Sequence, residues 1–286
     1  MNRKKLHAKL ASLNIHERGL MKPTLLHPPI LAIALISAPA MASAISGSAT
    51  VAGTANIFAA GQTSPSVINS DGSLPPFIAL SSGATSISFP SGTGTVHIGD
   101  PGNPAYGPES PNFTTAFFIG DSTIPVSDIR IDRTGTSLWG VFLDDSTPTG
   151  SHPVSLDFSS GGLGIAFTSL SPLLRQTFFV GDGLTGTGSG DQQTFFVPDG
   201  ATRLYLGVLD AMTVNANAGP GNAYFNNTGA FNVGYDMTVN AVPEPETWAM
   251  LLAGLGLMGW RAQRRRALLR VHGLLENRAD SFPAFQ

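Results

Sequence analysis

Asp144 and Asp145 are the only neighbouring carboxylates between Ile45 and Ala241, and general acid–base chemistry would start there. Glycoside hydrolysis needs two carboxyl groups placed on either side of a scissile bond. Adjacent residues of a strand or turn point to different sides, so this pair reads as a solvated turn before Ser146-Thr147-Pro148. The same stretch holds two histidines, His97 and His152, far apart in the chain. No H-E-x-x-H, G-x-S-x-G or phosphate-cradling loop occurs. There is no cysteine, which rules out disulfides and thiolate chemistry. Export is compatible with that, because many exported bacterial domains lack disulfides. The residues give no catalytic constellation, and the chain is expected not to be an enzyme.

The most informative residues lie near the C-terminus. Pro243-Glu244-Pro245 precedes an apolar run from Trp248 to Trp260, and Arg261, Arg264, Arg265 and Arg266 close it. Thirteen residues form a helix of about 20 Å, short against a hydrocarbon core of about 30 Å. Gly254, Gly256 and Gly259 weaken helix propensity in water. The prolines keep the backbone extended before Glu246. Four arginines hold the far end on the cytoplasmic side. A stiff, extended segment just outside a membrane is open to a protease. The alternative is a C-terminal core helix with a solvated basic end. Triplet, apolar run and basic cluster, in this order, resemble the PEP-CTERM sorting signal of exported bacterial proteins. The resemblance implies transient insertion in the inner membrane of a Gram-negative bacterium and cleavage by an exosortase. It further implies delivery to the cell surface or extracellular matrix. Residues 267–286 run past the point where such signals end, with Leu268, Leu269, Val271, Leu274 and Leu275 partly at helical spacing. A frameshift or late stop, or a cytoplasmic amphipathic extension, accounts for them.

The other end agrees. Lys22 supplies a positive n-region, Ile30 to Ile36 an apolar h-region, and Ala42-Ser43-Ala44 a small-residue site for signal peptidase. Ala40-Met41-Ala42 offers an earlier site. Residues 1–20 are basic and polar and fit a signal peptide poorly, so Met21 is the expected start, with a long n-region as the alternative. The chain thus divides into 1–44 (extension and signal helix), 45–240 (body), 241–266 (sorting signal, with a short membrane helix) and 267–286.

Every lysine lies in the N-terminal segment. From Ile45 to Ala241 four arginines face thirteen aspartates and one glutamate, leaving ten net negative charges. Nucleic acid, which needs a basic face, is excluded as a partner. The body is rich in Gly, Ser, Thr, Phe and Val. Short apolar or alternating runs recur at Thr85–Phe89, Gly94–Ile98, Ala116–Ile119, Leu138–Leu143, Val154–Phe158, Thr177–Val180, Thr194–Val197, Arg203–Val208 and Ala230–Val239. Asp71-Gly72, Asp182-Gly183 and Asp199-Gly200 mark turns where glycine accepts positive φ. Many short strands with close turns predict an all-β body, an antiparallel β-sandwich or jelly roll. Gln176–Gly183 (QTFFVGDG) is echoed by Gln193–Gly200 (QTFFVPDG) and, loosely, by Thr115–Ser122. These read as strand-to-turn corners with a shared physical solution, or else as an internal duplication.

Phe178–Gly183, Phe195–Pro198, Arg203–Asp210 and Asn226–Val233 follow one another in an order similar to the C-terminal half of calcium-dependent galactose-binding bacterial lectins. Tyr106-Gly107-Pro108 is similar to the loop from which that family donates a tyrosine carbonyl. The resemblance implies calcium held by the carboxylate of Asp210, the amides of Asn226 and Asn227, and the carbonyl of Tyr106. Calcium takes six to eight oxygens of these types. The segments between Asp210 and Asn226, and between Pro108 and Phe178, are longer than in that family. The bland alternative is that Asp210 and the asparagine pair close a turn. Two functions are therefore expected: a non-catalytic, exosortase-sorted surface or matrix protein associated with exopolysaccharide or biofilm, or a calcium-dependent carbohydrate-binding module sent by the same route.

Overall fold

The structure, a computed structural model, describes residues 42–99, 103–110, 112–119, 124–133, 136–210, 223–240 and 245–279. The expected signal helix lies outside the described residues. The first strands are β1 (Ala42–Ala52), β2 (Phe77–Ala79), β3 (Ala84–His97), β4 (Ala105–Tyr106) and β5 (Asn112–Ile119). Next come β6 (Ile129–Arg133), β7 (Thr136–Leu143), β8 (Ser169–Leu170), β9 (Thr177–Phe179) and β10 (Leu184–Gly186). The series ends with β11 (Ser189–Gln192), β12 (Thr194–Phe196), β13 (Arg203–Asp210), β14 (Thr228–Asn240) and one helix, α1 (Pro245–Ala279). The body is all-β, as its composition implies.

Two sheets form the core. The larger runs β1-β14-β3-β12-β8, with β4 added on β3; the second runs β2-β13-β7-β9. Pairing is antiparallel except where β8 joins β12. β14 alternates as a strand with one buried face should, turning Phe231, Val233, Met237 and Val239 inward. β7, read from its near-continuous apolar run, is buried on both faces along its whole length. A chain of aromatic rings links the sheets: Phe142 to Phe178 at 5.2 Å, Phe178 to Phe195 at 5.0 Å, and Phe195 to Phe89 at 5.6 Å. Trp139, fully buried on β7, meets Phe158 and Phe179 edge-on. Gly207 on β13 is where the backbone of Ile57 crosses; a Cβ there would lie 2.7 Å from the Ile57 Cα.

Several expectations change in detail. Thr85–Phe89 and Gly94–Ile98 belong largely to one strand, β3, joined through Pro90. Phe89 and Pro90 stand opposite Tyr235 alone, between the pairs Ser88–Asp236 and Ser91–Gly234, which is a β-bulge. A bulge is where a strand accepts a proline. Val154–Phe158 is not a strand. Only Asp157 bridges, to Arg130, and Val154 is exposed. The Asp157 carboxylate accepts the N–H and hydroxyl of Ser159, and this local turn competes with a ladder. The three Asp-Gly turns stand, with φ of 89° at Gly72, 86° at Gly183 and 80° at Gly200. The repeated QTFF corners fall in different sheets. Their glutamines do the same work: Gln176 Nε2 donates to Val154 O at 2.6 Å, and Gln193 Nε2 to Ile165 O and Phe167 O at 2.7 and 2.8 Å. Each buried amide pins a neighbouring loop to a strand start.

Candidate functional site

The tail is built on α1. Pro245 is its first residue, where proline's fixed φ suits a helix and its missing N–H costs nothing. Trp248, Met250, Leu251, Leu252, Leu257, Met258 and Trp260 are all exposed, and the three tail glycines have open space around them. A core helix would bury this surface, so that alternative fails. Arg264 lies over the Trp260 ring with its guanidinium carbon 4.4 Å from the centroid, a cation–π pair at the junction of apolar run and basic cluster. The helix does not stop at Arg266 but continues to Ala279. Among the described residues no helix is long and apolar enough to cross a membrane. The expected transmembrane helix is revised accordingly: the apolar run is helical and exposed, but Arg261 ends it after thirteen residues.

The strand before the tail holds the other end of the body. β1 pairs with β14 along its full length, Ala42 facing Asn240 and Ala52 facing Ala230. The expected cleavage residues Ala42 and Ala44 therefore lie within an edge strand, and their ladder partners Asn240 and Thr238 come three and five residues before Pro243 in the chain.

The four residues proposed for calcium come to one end of the sheets. Asp210 closes β13 opposite Thr136, whose hydroxyl donates to Val96 O at 3.4 Å. Val96 is the partner of Tyr106 on β4. Asn226 and Asn227 precede β14, whose first residue faces His97. Asn227 is buried; its Oδ1 accepts the Gly99 N–H at 3.3 Å and its Nδ2 donates to Gly53 O at 3.1 Å. Those bonds tie three loops, which is the work of a turn-closing amide. Asn226 is exposed. Beside Asp210 the ring of Tyr224 is fully buried, with its hydroxyl accepting the Asp210 N–H at 3.4 Å. Burial, and then the Asp210 carboxylate, push that phenol far above its ordinary range. Among the described residues no group of three or more His, Asp or Glu could hold a metal. The donor types at these four positions are one carboxylate, two amides and a backbone carbonyl, all oxygen donors of the kinds that calcium takes.

The residues first read for acid–base work go to separate partners. Asp144 accepts the hydroxyl and N–H of Ser146, which hold its carboxyl below the usual carboxylate range. Asp145 accepts the Thr202 hydroxyl at 2.7 Å. Arg203 clamps the same turn by donating to the carbonyls of Asp144 and Ser146. His97 Nδ1 faces the Asn103 carbonyl at 2.9 Å. His152 lies elsewhere, its Nε2 3.7 Å from Asp128 Oδ1 and its Nδ1 2.8 Å from Pro153 O. Sequence reading missed this pair, since 24 residues separate its members and no motif spans them. An open groove of about 650 Å³ adjoins His152, with Ser151, Leu173, Arg175 and Asp199 among its walls.

No curated protein and no solved structure matches the chain. Residues 241–266 match the family described as the PEP-CTERM protein-sorting motif. The match spans the triplet, the exposed apolar turns of α1 and the arginine cluster, so the chain carries the membrane-sorting tail of an exported exosortase substrate.

Proposed function

We propose that this is a non-catalytic protein of the cell surface or extracellular matrix of a Gram-negative bacterium, associated with exopolysaccharide and biofilm. The observation that carries the reading is the sorting motif at the end of an acidic all-β body. The body, read as a jelly-roll sandwich, crosses the membrane behind its signal peptide. Signal peptidase removes the N-terminal segment; exosortase removes the tail; the body remains outside. Ten net negative charges keep it soluble and apart from anionic polymers unless cations bridge them. Fractionation of a biofilm tests the reading. The mature protein is expected with the matrix polysaccharide, and a purely cytoplasmic or periplasmic pool refutes it.

A calcium-dependent carbohydrate-binding role is the second reading, supported by the position of Tyr106, Asp210, Asn226 and Asn227 on strand ends at the same end of the sheets. Calcium bound there would stabilise the folded body by mass action, about 2.7 kcal/mol at a hundredfold excess over Kd. Millimolar calcium is expected to raise the melting temperature of the native protein and to leave that of Asp210→Ala unchanged. Calcium-dependent retention on galactose or matrix polysaccharide then separates a lectin from a matrix protein. A calcium-insensitive melting curve assigns the four residues to turn closure alone.

A further inference from the structure

The register of one ladder joins the two ends of the processed chain. β1 is the outermost strand of the larger sheet, and its strand partner there is β14. Ala42 faces Asn240, Ser43 faces Val239, Ala44 faces Thr238, and Ile45 faces Met237. The last three residues on the signal side of the Ala44–Ile45 bond are thus paired with the last three residues of β14. The Pro243-Glu244-Pro245 triplet begins three residues beyond Asn240. On its other edge β14 keeps β3: Thr238 faces Ser86, Val239 faces Ala84, and the Asn240 N–H donates to Gly83 O at 2.9 Å. While Ala42–Ala44 are attached, the end of β14 is held on both sides. Once they leave, it is held on one.

A protease acts on extended chain that has come out of its ladder, and local opening is harder the more backbone bonds must break. We propose that signal-peptide removal unlocks the sorting site. Hydrolysis of the Ala44–Ile45 bond consumes one water and leaves Ile45 as the new N-terminus. It also removes the residues that would otherwise pair with Thr238–Asn240, and this strand end, held on one side only, feeds the Pro-Glu-Pro segment to the exosortase. The two cleavages therefore follow a fixed order, signal first and sorting second. The topology leaves time for the first: β14 is the last strand of the body in the chain, so β1 has no partner in its sheet until residues 228–240 have crossed the membrane. The inference rests on the sorting reading given above.

The test uses the full chain expressed with an exosortase, followed by pulse-chase and mass measurement of both termini. Ala42→Leu with Ala44→Leu places bulky side chains where signal peptidase needs small ones. Both positions are exposed in β1, so the body still folds. With the signal retained, C-terminal cleavage is expected to slow by about ten-fold or more, the scale of one or two lost strand openings. Adding Ser43→Pro breaks the ladder from the β1 side alone, because β1 is an edge strand. It leaves the membrane tether in place and is expected to restore cleavage. Normal C-terminal cleavage in the leucine variant overturns the proposal, and so does failure of Ser43→Pro to restore it. A wild-type chain that keeps its tail in the same cells sinks the sorting reading instead, and the fixed order with it.

Discussion

Replacing Pro243, Glu244 and Pro245 together by alanine should leave the protein in the membrane fraction with its C-terminus intact, while the wild-type chain is released. The expected change is from nearly complete processing to none. Two physical roles converge on the triplet. Its prolines keep helix α1 from growing backward into the body, since the residue before a proline is pushed to extended geometry. Alanine, the best helix former, would let the helix extend toward Asn240 and hide the segment in intrahelical hydrogen bonds. The triplet also lies within the matched motif, and its last residue, Pro245, is the first residue of α1. Removing residues 267–286 is the companion experiment. Cleavage beside the triplet discards the apolar run, the arginines and everything beyond, so that deletion should leave processing unchanged. The unbroken helix from Pro245 to Ala279 gives the deletion a clear structural meaning, because it shortens one helix, and Leu268 and Leu269 at the start of the deleted stretch are exposed. A surface form whose mass still includes Trp260 would make the segment a permanent anchor. Lost processing on deleting 267–286 alone would assign that extension a role in recognition.

Much of the body was legible because its strands carry their own period. β7 and β13 read as buried from Leu138–Leu143 and Arg203–Val208, and the Asp-Gly turns from the need for positive φ. What was hidden depends on contacts distant in sequence. β1 has weak strand signals and overlaps a cleavage site, and only its pairing with β14, nearly two hundred residues on, makes it a strand. Pro90-Ser91-Gly92 looks like a turn between two strands. It is the continuation of one strand past a bulge, and the bulge exists because Tyr235 on β14 faces two residues there. Val154–Phe158 shows the reverse: a strand-like alternation that a single Asp157–Ser159 turn cancels. At the candidate site, sequence order named Tyr106, Asp210, Asn226 and Asn227, and the topology gathers their strands. It could not foresee that Asn227 bonds both Gly99 and Gly53. In the tail, the triplet and arginines were plain in the sequence. The length of α1 was legible only in part: Leu268, Leu269, Val271, Leu274 and Leu275 are partly at helical spacing, but the basic cluster and Gly273 interrupt the pattern, and no capping residue marks the helix end.

Trp139→Ala should destabilise the body more than any substitution on its surface. The indole is fully buried at the middle of β7, between strands β13 and β9. Its ring meets Phe158 at 5.5 Å and Phe179 at 5.6 Å, both edge-on, and its Nε1–H donates to the Ser137 hydroxyl at 2.8 Å. Truncation removes the transferred apolar area, leaves a cavity the flanking rings cannot close, and strands the buried Ser137 hydroxyl. Large-to-small changes of this kind cost about 3–5 kcal/mol, a large part of the roughly 5–15 kcal/mol that holds a domain folded. For a body of this size each kcal/mol lowers the melting temperature by about 2–4 °C, so a fall of about 6–20 °C is expected in the purified mature protein. Trp139→Phe keeps most of the packing and loses the hydrogen bond, so its cost should be smaller. Phe77→Ala is the control: that ring is 52% exposed and touches Tyr205 at its edge of the sheet. Its loss should cost about 1 kcal/mol or less. Equal melting temperatures for Trp139→Ala and Phe77→Ala would mean that β7 is not the buried centre of the second sheet. The wider consequence is for sorting. A body loosened at β7 leaves β1 and β14 intact in the other sheet, so Trp139→Ala should lower the yield of mature protein without changing where its two ends are cut.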